Sequence, residues 1–168
     1  MRSFLLIYFF FITSLNAAEI KSAFGLNLGD VFSEDLRELS ETTSGEKIYQ
    51  FSASNAHPSF LYYGVIITPK SKRIAQIWAW HNYDSSSECK SQFKIVKSLL
   101  DDKYGVFLDK DSFSFSSESA AYHSGQKSIS LRCPIEFGNS PLYLQYIDDD
   151  ISKISIKEKA SETNSKGL

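Results

Sequence analysis

Two stretches that favour β structure, FLYYGVIIT (Phe60 to Thr68) and RIAQIWAWH (Arg73 to His81), flank the four residues Pro69-Lys70-Ser71-Lys72. A short turn with proline at its head, between two such runs, predicts an antiparallel hairpin. The first run is apolar on both faces, which suits a strand at the centre of a sheet. A sheet built on this hairpin needs a covering layer, and residues 87–104 can provide one. There Cys89, Phe93, Val96 and Leu100 form one helical stripe with Leu99 and Tyr104 alongside, while Lys90, Lys94, Lys97 and Asp101 face water. Gly105 is placed to end that helix.

The other segments extend the pattern. DVFSEDLRELS (Asp30 to Ser40) predicts a short helix, with Asp30 as its cap and Phe32, Leu36 and Leu39 on one side. KIYQFSA (Lys47 to Ala53) alternates as a strand with one buried face. SFSFS (112–116) and SISLRC (128–133) alternate as well, and the serine-rich run between them, 117–126, is expected to be a loop. LYLQYI (142–147) and ISKISI (151–156) flank Asp148-Asp149-Asp150, which predicts a second hairpin with an acidic turn. Residues 157–168 carry almost nothing apolar and are expected to fray. The expected order is α-β-β-β-α-β-β-β-β, a single α+β domain over residues 18–156 with two helices and a mainly antiparallel sheet.

The amino terminus points outside the cytoplasm. Arg2 precedes nine unbroken apolar residues, FLLIYFFFI (Phe4 to Ile12), and small residues follow through Ala17-Ala18. That is the pattern of a cleavable signal peptide over residues 1–17, and the run is too short to be a permanent span. Cleavage near Ala17/Ala18 would leave 17 basic and 20 acidic residues, a net charge of −3, with no stable membrane anchor. An acidic balance argues against a generally basic nucleic-acid binder. Two cysteines, Cys89 and Cys133, in an exported chain predict one disulfide, and a CxxC redox pair is excluded by their spacing. The expected location is periplasmic or secreted.

Catalytic signatures are missing from the sequence. No GxSxG elbow, GxGxxG or GxxxxGK[ST] loop occurs. His57, His81 and His123 lie too far apart in sequence for a paired-histidine helix, although they could converge in space. Asp148, Asp150 and Ser152 have the spacing that opens a calcium loop, but Lys153 and Lys159 stand where that loop needs glycine and glutamate. No metal or cofactor is therefore expected. What stands out is aromatic content: Trp78 and Trp80 share one strand face, with Tyr62 on the facing arm of the hairpin. These three residues and the acidic run Asp148, Asp149 and Asp150 are the expected contact surface of a non-enzymatic protein-binding module, inhibitor- or adaptor-like, whose partner is another protein. The alternatives are an enzyme or small-ligand carrier with a site converging from distant residues, and a cell-envelope assembly or structural factor.

Overall fold

The computed structural model describes residues 18–35, 37–42, 46–105, 118–134 and 139–166. The signal-like run 1–17 and the expected strand 112–116 lie outside the described residues. The chain opens with a two-stranded ribbon, β1 (Ser22–Ala23) and β2 (Leu26–Asn27). Strands β3 (Arg37–Glu41), β4 (Lys47–Gln50), β5 (Tyr62–Ile67) and β6 (Ile74–Tyr83) follow, then helix α1 (Ser86–Tyr104). The chain closes with β7 (Glu118–Ser124), β8 (Lys127–Cys133), β9 (Ser140–Asp148) and helix α2 (Asp149–Lys166). Strands β3 to β9 form one seven-stranded sheet in the order β3-β4-β5-β6-β9-β8-β7, antiparallel at every pairing. The architecture is thus α+β with two helices, as expected, but the order of elements is only roughly matched: the β1–β2 ribbon is an additional sheet, and four further places differ.

The first difference is at Asp30 to Ser40, which is not a helix. The backbone there is engaged by β6 and its turn: Phe32 N–H donates to Lys72 O at 2.8 Å, Ile74 N–H donates to Asp30 O at 2.8 Å, and Val31 bridges Arg73. Residues 37–41 then pair with β4. Second, the segment expected as a serine-rich loop is mostly strand β7, turning at Gly125 (φ 62°) into β8. Third and fourth, the acidic run caps a helix instead of turning a hairpin, and that helix continues through the expected strand 151–156 and the expected tail as far as Lys166. Asp148 Oδ1 accepts the backbone N–H groups of Asp150 and Ile151, both at 3.1 Å, as an N-cap does. Asp149 and Asp150 in the first turn oppose the positive end of the helix dipole.

The two faces of the sheet are covered unequally. On one, Val65, Ile77, Ala79, Leu131, Leu142 and Leu144 pack against Cys89, Phe93, Val96 and Leu100 of α1, with the β1–β2 ribbon alongside. Ser85 caps α1 by accepting Glu88 N–H, and Gly105 (φ 86°) ends it, the left-handed geometry that glycine tolerates. Cys89 in α1 and Cys133 at the end of β8 form a disulfide with both residues fully buried, fixing the helix to the sheet. On the other face, α2 covers only the end near the β5–β6 turn. There Ser155 lies with Ile66, and the Glu158 carboxylate accepts from Lys70 N–H, Ser71 N–H and Ser71 Oγ. A β-bulge in β6 between its pairings to Ile66 and Ile67 lets Ile74 point to the core while Gln76, two residues on, points to the α2 side.

Candidate functional site

The part of the second face that α2 leaves uncovered carries the residues singled out in the sequence. Strand alternation places Gln76, Trp78 and Trp80 on this face and Ile77 and Ala79 in the core. Pairing then sets two rows across the sheet. One row runs Tyr62–Trp80–Tyr143–Arg132 over β5, β6, β9 and β8, a span of about 14 Å at the usual strand spacing. The row beneath it runs Gly64–Trp78–Gln145–Ser130.

Tyr62 and Trp80 stack, with ring centroids 5.5 Å apart and planes 28° from parallel. Tyr62 is 45% exposed and both tryptophans are half-buried, outside the main core. Trp78 is held in place: its Nε1–H donates to Gln76 Oε1 at 3.0 Å, and the same oxygen accepts Gln145 Nε2–H at 2.7 Å. Arg132 is exposed and makes no ion pair among the described residues. The face is therefore a rigid aromatic strip bordered by amides, with one cation at its end.

Gly64 makes the strip possible. A Cβ there would collide with Ile48 Cγ2 and lie 3.5 Å from Trp80 Cζ3. Ile48 is buried, so it has little room to yield. Gly64→Ala is expected to cost about 1–3 kcal/mol by overpacking, measured by urea unfolding. Ile48→Ala should recover part of that loss in the double variant. Strictly additive effects would show that the two positions do not clash.

The remaining sequence candidates fall elsewhere. Asp148 is buried, and its carboxylate is occupied by the α2 cap and by Lys127 at 4.0 Å. Asp149 and Asp150 stand at the start of α2, past the end of β9, so the acidic run does not join the tryptophans in either row. The histidines do not converge on a carboxylate among the described residues. His57 Nδ1 accepts Ser59 N–H at 3.2 Å, and burial pushes its pKa below the ordinary imidazole value. His81 lies 4.2 Å from the Tyr83 ring, and His123 is exposed on β7. Among the described residues no three His, Cys, Asp or Glu groups converge to hold a metal.

No family model, no characterised protein and no solved structure matches this chain. The functional reading therefore rests on the face itself. Two of its members, Tyr143 and Arg132, were not among the sequence candidates. The cue was alternation: in LYLQYI the core takes Leu142, Leu144 and Tyr146, which sends Tyr143 and Gln145 to the other side, and in SISLRC the same rule turns Arg132 outward.

Proposed function

We propose that this chain is an exported, non-enzymatic binding protein that engages another protein through the open face of its sheet. The carrying observation is the stacked Tyr62–Trp80 pair, in a strip with Trp78 and Arg132, left partly exposed on the sheet face that α2 covers only at one end. Tryptophan, tyrosine and arginine are the residues that dominate protein-interface hot spots, because they combine large rigid contact area with hydrogen-bonding ends. Anchoring them on paired strands also limits the side-chain ordering that association would otherwise cost. Arg132 favours an acidic group on the partner at that end of the strip. The buried disulfide fits an oxidising compartment, in keeping with the signal-like run at the amino terminus.

The test uses the oxidised chain from Ala18 to Leu168, immobilised and exposed to envelope and culture extracts, beside a folded Trp78→Ala/Trp80→Ala control. A protein retained by the wild type in near-equal amount, and bound at least tenfold more weakly by the control, is the expected result. Retention of the same protein by both forms would move the interface off this face. Retention of nothing would count against a protein partner and favour the small-ligand alternative.

A further inference from the structure

On the α1 side, opposite the aromatic strip, two cavities meet. One, of about 150 Å³, is walled by apolar side chains, among them Phe24, Phe60, Val96 and Leu99. The other, of about 370 Å³, is more polar and takes Ser22, Asn27 and Asn55 from the ribbon and the loop before β5. Phe24, Lys103 and Tyr146 line both, so the two form one composite cleft. Neither cavity belongs to the surface proposed above.

Three features mark the cleft as built for a ligand. Phe24 holds φ at 55° and Gly25 at 95°, as the two-residue turn between β1 and β2 calls for, and the turn presents the Phe24 side chain to the cleft. That conformation brings its ring to 4.9 Å from Tyr63 and 6.2 Å from both Phe60 and Tyr146, on the wall between the cavities. Lys103, at the other shared border, makes no ion pair among the described residues and rests 5.0 Å from the Tyr104 ring. Leu99, alongside the buried stripe of α1, is 51% exposed and lines the apolar cavity.

We propose that the cleft binds small arylalkyl carboxylates, the ring in the apolar cavity and the carboxylate on Lys103. The sizes agree: an apolar cavity of about 150 Å³ holds one benzene-sized ring, and a ring in contact with Phe24 and Phe60 gains edge-to-face packing. His57 lines the same cavity, and burial lowers its pKa, which favours the neutral imidazole there. Lys103 borders both cavities, so its long side chain can bring the ammonium to a carboxylate at the polar part of the cleft, where Asn27 and Asn55 also supply amide donors. An alcohol of the same shape would keep the ring contact and lose the charge pairing.

The probes are 3-phenylpropionate and its neutral analogue 3-phenylpropan-1-ol, titrated into the oxidised chain and followed by two-dimensional amide NMR. Saturable binding of the acid is expected, with shifts centred on Phe24, Asn55, His57 and Lys103, and at least fivefold weaker binding of the alcohol. Lys103→Met should remove that preference while leaving alcohol binding unchanged. Leu99→Asp, at a half-exposed position of the apolar wall and checked for a native spectrum, should weaken both ligands. No saturation by 10 mM, shifts centred elsewhere, or an acid preference that survives Lys103→Met would each overturn the proposal.

Discussion

Replacing Cys89 and Cys133 together by alanine is expected to lower the unfolding free energy by about 4 kcal/mol. The disulfide closes a loop of 44 residues by sequence separation, and cross-linking a loop of that length removes entropy from the unfolded chain worth about 4 kcal/mol at 25 °C. Alanine is the right replacement because both positions are fully buried, where a serine hydroxyl would need a partner. For a chain of this size the loss corresponds to a fall in Tm of roughly 10–15 °C.

The structural consequence goes beyond the number. The bridge ties the first part of α1 to the last residue of β8, and α1 covers the core side of β6, β8 and β9. The aromatic strip is carried on the other side of β5, β6, β8 and β9, so a helix that lifts away would loosen the platform on which Trp78 and Trp80 stand. Thermal unfolding by circular dichroism, oxidised wild type against the double variant, measures the effect. A difference below about 1 kcal/mol would mean that the closed loop barely restricts the unfolded chain and that packing alone holds α1.

The parts of this fold that were legible in the sequence are those where local pattern and tertiary demand agree. The β5–β6 hairpin has a proline-headed turn and two β-branched arms, and α1 has a capped stripe, so each was expected within a residue or two of where it stands. The segment after Asp30 shows the opposite case. Its stripe of Phe32, Leu36 and Leu39 is a fair helical signal, but the sheet edge at Lys72 to Ile74 takes its backbone groups, and Phe32 is buried by that pairing. At ISKISI, Ile151 and Ile154 are spaced as on a helix and Ile154 and Ile156 as on a strand, and a six-residue run is too short to decide between them. The deciding cue was Asp148 as cap with two more acids in the first turn, which read equally well as an acidic hairpin turn. The candidate site was half legible for a similar reason. Residues two apart on one strand declare a shared face, whereas neighbours from β8 and β9 join it only through a strand order that local pattern does not encode.

Stability is also expected to fall steeply above pH 10, because two buried phenols cannot ionise in place. Tyr122 and Tyr146 are 4% and 6% exposed. Burial pushes both pKa values well above that of a free tyrosine; for Tyr122 the hydrogen bond to Asp101 Oδ1, 2.6 Å away, and that group's charge add to it, and for Tyr146 the neighbouring Tyr104 does. A phenol that ionises near pH 10 when unfolded and at higher pH when folded binds its proton more tightly in the native state. Its contribution is therefore complete below pH 10 and is lost as the pH rises from there towards the folded value. Each such group costs about 1.4 kcal/mol per pH unit across that window, so the pair should remove about 4 kcal/mol by pH 11.5. Tyr63 and Tyr83 shift in the same direction, chiefly through burial, and steepen the fall. Urea unfolding at pH 8, 10 and 11.5, with phenolate absorbance followed in parallel, measures it. Tyr122→Phe/Tyr146→Phe should be less stable than the wild type at pH 8 and much less sensitive to alkali. If instead every tyrosine of the wild type ionises near pH 10 while the native spectrum persists, the phenols beneath α1 are open to solvent and the packing argued for that side of the sheet fails.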